Sequence, residues 1–206
     1  MASRRDLARR LESVVDFEEP SPALEQYLTP PEIAAHLLHF ASTQGDLAGR
    51  TVVDLGTGTG MLAIGATHAD PARVVGVDID SDALTLAREN ERRAGGPVSV
   101  GWVRADASRP PLSLSSATVL SNPPFGAQRG RRHADRAFLE AASDLASVSY
   151  TIHNEGSQEF VESFAADNGG TVTHAFQATF SLERRFSFHT SESTDLETEV
   201  FRTEWA

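Results

Sequence analysis

Asn122-Pro123-Pro124-Phe125 and the earlier run Asp54-Leu55-Gly56-Thr57-Gly58-Thr59-Gly60, with Asp78 between them, are the residues whose types and spacing can do chemistry. An exocyclic amine on an aromatic ring is a poor nucleophile, because its lone pair is delocalised into the ring. Two acceptors, one for each N–H, draw the nitrogen towards sp3 and free that pair. The Asn122 side-chain oxygen supplies one acceptor and the Pro123 carbonyl the other. A residue before proline is pushed into extended backbone, so Asn122, Pro123 and Pro124 make a stiff platform. Phe125 offers a ring face on which a base can stack, worth about 1–3 kcal/mol. No strong general base is required, since the product proton can leave to water. Catalysis is then mainly orientation for in-line attack, and the electrophile that suits this arrangement is the methyl group of S-adenosylmethionine (SAM).

The glycine run fits the same cofactor. A glycine turn after a strand lets backbone approach a ligand closely and aims a helix N-terminus at it. Gly56-x-Gly58-x-Gly60 is one residue shorter than the dinucleotide fingerprint, and SAM has no pyrophosphate to cradle. Asp78, ending the second strand, is placed to accept from both ribose hydroxyls, and Asp106, after the third, to meet the adenine amine. Asp54 can hold the methionine ammonium, directly or through water. The competing reading is a nucleotide-binding or purely structural glycine turn.

Two further segments bear on substrate. Gly126-Ala127-Gln128-Arg129-Gly130-Arg131-Arg132-His133 is a basic loop beside the reactive centre, and Arg129, Arg131 and Arg132 are candidate contacts to a phosphate backbone. Arg184-Arg185-Phe186-Ser187-Phe188-His189 lies between the last two strands and either caps the target base or places Phe186 and Phe188 in the core.

The elements that must position these residues follow from periodicity. Apolar residues at Leu7, Leu11 and Val14 predict a helix over Arg4 to Val15. Glu18 to Pro22 breaks it, and Thr29-Pro30-Pro31 opens a second helix with Thr29 as a plausible N-cap and Ile33, Leu37 and Phe40 as its buried stripe. Strand and helix then alternate: strands over Thr51 to Leu55, Arg73 to Val77, Val98 to Trp102, Thr118 to Leu120 and Val148 to Ile152. Helices run over about Gly60 to Ala69, Ser81 to Arg93, around Phe138 to Leu145, and around Phe160 to Phe164, the last stopped by Gly169-Gly170. Two extended runs, Thr171 to Leu182 and Leu196 to Trp205, close the chain. The pattern predicts an α/β fold of the class I SAM-dependent methyltransferase (Rossmann-like) type: a seven-stranded, mostly parallel sheet with a C-terminal antiparallel hairpin at one edge and helices on both faces.

Composition bounds the rest. The 206 residues suit a single domain, with residues 1–45 as an N-terminal helical segment, and 40% hydrophobic content allows a proper core. No stretch is apolar enough to span a membrane, and the first residues lack the apolar run of a secretory signal, so a cytoplasmic protein is expected. With no cysteine and seven scattered histidines, the chain offers no disulfide, no thiolate and no metal site of its own. The net charge is −11 and all 18 basic residues are arginine. Acid-rich, lysine-free sequence suggests adaptation to molar intracellular salt; arginine alone would follow from codon bias. In such salt, net acidity argues less strongly against nucleic-acid binding.

Leu24-Glu25-Gln26-Tyr27-Leu28-Thr29-Pro30, the glycine run, Val77-Asp78-Ile79-Asp80, Asn122-Pro123-Pro124-Phe125-Gly126, Asp135-Arg136-Ala137-Phe138-Leu139, Tyr150-Thr151-Ile152-His153 and Phe188-His189 together resemble the methyltransferase-like protein five family, collinearly from about Leu24 to Arg202. That family methylates adenine N6 in small-subunit ribosomal RNA. The resemblance implies that Gln26 and Thr29 close over SAM together with Gly56, Thr59, Met61, Asp78 and Asp106, and that Phe188 and His189 meet the RNA. It also implies a small zinc-binding activator protein that adds a strand to the sheet edge, which by topology is Val98 to Val103. Thr190-Ser191-Glu192 stands where the family often carries lysines. The rival readings are a protein-glutamine methyltransferase acting on a release factor, a DNA adenine methylase, for which no target-recognition domain is visible, and a non-catalytic SAM- and RNA-binding assembly factor.

Overall fold

The computed structural model describes residues 3–124, 134–183 and 193–206. Helices α1 (Arg4–Leu11) and α2 (Pro31–Thr43) precede strand β1 (Thr51–Leu55). Then follow α3 (Met61–Ala66), β2 (Arg73–Asp78), α4 (Ser81–Ala94), β3 (Val100–Arg104), β4 (Ala117–Ser121), α5 (Ala134–Leu145), β5 (Ala146–Asn154), α6 (Gln158–Asp167), β6 (Gly170–Glu183) and β7 (Ser193–Trp205). The strands form one seven-stranded sheet in the order β3-β2-β1-β4-β5-β7-β6. Strands β1 to β5 pair in parallel, and β7 lies antiparallel between β5 and β6. This is the Rossmann-like class expected from the sequence, with the antiparallel hairpin at the expected edge.

Period-2 alternation divides the strand residues between two cores. Val52, Val74 and Val200 join the residues of α1, α2 and α3 on one face, whereas Val53, Val75 and Phe201 join those of α5 and α6 on the other. A parallel sheet covered on both faces reads as a continuous apolar run, which is what Val52-Val53 and Val74-Val75 are.

Most element ends shift by a few residues from expectation, and three of the shifts have a visible cause. Helix α1 stops at Leu11, not Val15, because the buried Asn90 side chain takes the Val15 backbone on both sides: Val15 N–H donates to Asn90 Oδ1 and Asn90 Nδ2 donates to the Val15 carbonyl, each at 2.9 Å. Thr29 is not the cap of α2; Pro30 holds that position, and the Thr29 hydroxyl is engaged elsewhere. Strand β3 begins at Val100 rather than Val98, since Pro97 has no N–H to give a ladder and the Val100 N–H is taken by Glu91 Oε1 at 2.8 Å. The edge is the expected one: among the described residues, β3 has β2 as its single sheet neighbour.

A buried polar cluster ties the sheet to the turn before β1. Tyr150 donates to Asp46 Oδ2 at 2.5 Å and Arg202 Nε donates to the same oxygen at 2.8 Å. Burial, and then the Asp46 carboxylate, push the Tyr150 phenol well above its ordinary value, so it stays a donor. Arg202 also reaches Glu204 at 2.7 Å, but that carboxylate is 55% exposed while the Arg202 side chain is 8% exposed. Removing the buried partner strands a charge; removing the exposed one leaves it to water. Asp46→Ala is expected to destabilise by about 3–5 kcal/mol and Glu204→Ala by about 1 kcal/mol or less, read as the shift in denaturant unfolding midpoint. Equal losses would show that Asp46 is not what holds Arg202.

Candidate active site

The strand order puts the cavity where it must be. The chain builds outward from β1 to β2 and β3, then returns to the other side of β1 as β4. Between β1 and β4 the loops leave in opposite directions and open a crevice at the strands' carboxyl ends. Leu55 pairs with Ser121, and the Ser121 hydroxyl donates to the Leu55 carbonyl at 2.8 Å. The glycine turn and Asn122 are therefore neighbours, although more than sixty positions apart in sequence. A cavity of about 290 Å³ lies there.

The glycine turn forms its floor. Gly56, Gly58 and Gly60 have φ of 71°, 53° and 87°, where side chains are strained. A Cβ on Gly56 would sit 2.9 Å from the Phe138 ring, and one on Gly60 2.8 Å from Trp102. Gly56, Gly58, Thr59 and Met61 line the cavity, whereas Gly60 lies behind it as the residue that caps α3.

Four carboxylates line the cavity, Glu25 from the N-terminal segment and Asp54, Asp78 and Asp106 from the strand ends and the loop after β3; the last three each stand in a different environment. Asp54 is buried at the end of β1, and its Oδ2 accepts from Thr57 Oγ1 at 2.6 Å and from the Ala63 N–H at 3.0 Å. Burial pushes its carboxyl up to about 7 despite those two bonds. Asp78 accepts from the Gly58 N–H at 2.8 Å and, through its other oxygen, from the Asp80 N–H at 2.9 Å. It too is raised, mainly by burial. Each Asp78 oxygen keeps a lone pair for a vicinal diol, which suits a ribose. Asp106 is exposed, and the Ser108 hydroxyl and N–H hold it below the ordinary carboxylate value.

A strap from the N-terminal segment closes the opposite side. Gln26 Nε2 donates to Asp80 Oδ2 at 2.7 Å, and its Oε1 accepts from the Ser21 N–H at 2.8 Å. Tyr27 donates to Asn122 Oδ1 at 3.1 Å, and Asn122 Nδ2 donates to Thr29 Oγ1 at 2.9 Å. The strap thus bridges the start of α4 to the Asn122 amide and fixes which edge of that amide presents oxygen. Asn122 and Pro124 line the cavity; Pro123 is buried beneath them. Of the residues expected from sequence, the structure brings together Gln26, Thr29, Asp54, Gly56, Gly58, Thr59, Met61, Asp78, Asp106, Asn122 and Pro124. Phe125, Arg129, Arg131, Arg132, Phe188 and His189 lie outside the described residues.

Sequence reasoning missed Tyr27, Thr57 and Phe17. Tyr27 sat inside a motif already noted, and a phenol beside Gln and Thr in a cofactor-closing segment was a usable signal. Thr57, one of the alternating threonines of the turn, was a legible partner for Asp54. Phe17, which packs 3.4 Å from where a Gly58 Cβ would stand, carried no signal, because nothing local shows that this apolar residue serves the cavity rather than the core. No group of His, Cys, Asp and Glu side chains suited to a metal occurs among the described residues.

Residues 33–164 match the methyltransferase small domain family. The chain is 35% identical to the rRNA N(6)-adenosine-methyltransferase Mettl5 of Drosophila melanogaster, over 97% of this chain and 95% of the fly protein. Against the rRNA N(6)-adenosine-methyltransferase METTL5 of Danio rerio, identity is 33% over 96% of this chain and 97% of that protein. Among solved structures, that of an RNA methyltransferase candidate from Pyrococcus horikoshii superposes with a TM-score of 0.88 at 34% identity, covering 100% of this chain and 99% of that one.

The Asp54 environment gives a pH dependence with a definite sign. Burial favours the protonated carboxyl, so this group's contribution to stability of the ligand-free chain falls as pH rises from its ordinary value near 3.8 towards about 7. If Asp54 faces the cofactor ammonium, that contact needs the carboxylate, and SAM is expected to bind more tightly as pH rises through about 7, by up to about tenfold per unit below it. Calorimetric titration between pH 5.5 and 8 checks this; Asp54→Asn is expected to flatten the profile. A flat wild-type profile would remove Asp54 from the ammonium.

Proposed function

The chain belongs to the methyltransferase small domain family, and we propose that it transfers a methyl group from SAM to N6 of an adenosine in small-subunit ribosomal RNA. The observation that carries this reading is the place of Asn122, at the cavity mouth beside Gly56 with its amide held by Tyr27 and Thr29. The Mettl5 relatives are rRNA N(6)-adenosine-methyltransferases by name and match 96–97% of this chain, which supports the same nucleophile here.

When bound, SAM supplies a methyl group activated on its sulfonium. The chain's own residues do the rest. Asp78 accepts from the ribose hydroxyls, Asp106 meets the adenine amine, and Asp54 faces the ammonium. The target adenosine leaves its stack to reach the site. One N6–H then donates to the lone pair of Asn122 Oδ1 that Tyr27 does not use, and the other to the Pro123 carbonyl. The nitrogen pyramidalises and its lone pair would attack the methyl in line, the methyl–sulfur bond breaking as the C–N bond forms and the sulfur leaving as a neutral thioether. The amine proton then leaves to water. Phe125 stacks on the base, while Arg129, Arg131, Arg132, Phe188 and His189 contact the RNA. A small zinc-binding activator protein would add a strand at β3, the terminal strand of the sheet among the described residues.

Labelled SAM, incubated with unmodified small-subunit rRNA and with release factor in parallel, with and without the activator, tests the reading by nucleoside mass analysis. The expected product is N6-methyladenosine, with the rate lowered by about 100-fold or more in Asn122→Ala. Label in release factor and none in RNA would replace this reading with the glutamine methyltransferase. Thr29→Val frees the amide to turn over, and is expected to lower kcat about tenfold while cofactor affinity changes less; stopped-turnover assays alongside SAM titration separate the two.

A further inference from the structure

Helix α1 carries a concentration of positive charge that its fold does not require. Its eight residues include Arg4, Arg5, Arg9 and Arg10 against one acid, Asp6, in a chain of net charge −11. All four arginines are exposed. Leu7 and Leu11 anchor the helix and are fully buried. At 3.6 residues per turn, Arg5 and Arg9 fall on the side away from those leucines, Arg10 lies on the flank, and Arg4, three residues before Leu7, stands on the leucine side at the exposed start of the helix.

The arrangement works against the helix. Arg5 and Arg9 are like charges at i,i+4, which destabilises by about 0.2–0.5 kcal/mol, and Arg4 and Arg5 stand at the positive end of the helix dipole. Asp6 is held by Ser3 and drawn down further by the charges of Arg9 and Arg10, yet none of the four arginines forms an ion pair among the described residues. His36 on α2, lowered by burial and then by the Arg4 charge, adds no charge of its own near neutral pH. What remains is an unpaired cationic face. Counting the capping Glu12, residues 3–12 carry four arginines against the two acids Asp6 and Glu12, so this segment is itself net positive even though the whole chain is acidic. The face is also close to the cavity in chain terms: Phe17, six residues after Leu11, lines it, and six residues span at most about 20 Å.

We propose that the outer face of α1 binds the phosphate backbone of the RNA substrate away from the target adenosine, so that a polyanion is held by this protein through a local patch and not through its overall field. This rests on the RNA reading above. Guanidinium pairs bidentately with phosphate, and such contacts position the nucleic acid without reading its sequence.

The test uses the full chain, unmodified small-subunit rRNA, and two variants: R4Q/R5Q/R9Q/R10Q, and the same four positions changed to lysine. KM for RNA, and RNA binding by fluorescence anisotropy, are measured across a salt series. The glutamine variant is expected to raise KM and Kd at least tenfold, and to flatten the plot of log Kd against log salt by about 0.7–0.9 for each arginine that contacts a phosphate. Its kcat at saturating RNA and its SAM affinity should be unchanged, and the lysine variant should keep most of the binding. An unchanged Kd and salt slope in the glutamine variant would overturn the inference. If the wild-type chain places no methyl in RNA, the proposed function fails, and the anisotropy series still decides whether this face holds RNA.

Discussion

The register of β1 against β4 is the constraint on which the site depends. Leu55 opposite Ser121 sets the last residues of two strands level, so that the loops leaving them meet. One loop is the glycine turn that makes room for a cofactor; the other begins with the asparagine that would hold the acceptor amine. A shift of one residue in this pairing would turn the strand's side chains to the opposite face, exchanging Val52 and Val53 between the two cores. Both apolar faces thus enforce the alignment that the chemistry needs, and the Ser121 hydroxyl bonded to the Leu55 carbonyl locks it at the site itself.

The second organising feature is electrostatic. Asp54 and Asp78 are both buried at the cavity and both raised, with desolvation the leading cause at each. A cavity that holds two costly carboxylates in a small volume is suited to a ligand that brings a cation and a diol, and such a ligand relieves what the empty fold must bear. The Asp46–Tyr150–Arg202 cluster shows the opposite solution: a cation is built in, and the buried acid is satisfied within the chain.

Much of this was legible before any coordinates. The seven strands and their order of appearance followed from alternating and continuous apolar runs, and the glycine turn, Asp78 and Asn122 were identifiable from type and spacing. What could not be read were long-range side-chain ties. Asn90 ends α1 by bonding Val15, seventy-five positions away, and the Thr29 hydroxyl serves Asn122 instead of α2. Local rules assign a threonine before two prolines to a helix cap, because they cannot see an amide that arrives ninety-three residues later. Tyr27 stands between these cases: its place beside Gln26 and Thr29 marks the segment it belongs to, but only the fold shows that its hydroxyl donates to Asn122.

Strand β7 lies between β5 and β6 although it follows both in the chain. Strand β6 therefore has no sheet neighbour until β7 has been made, and during synthesis it must wait as an unpaired segment. The same late strand carries Arg202, the cation that satisfies Asp46, and delivers Val200 and Phe201 to the two cores. The half of the sheet that carries the glycine turn and Asn122 can pair early, from nearby segments. Closure of the other half waits on β7, so vectorial folding of this sheet passes through a late, non-local pairing step.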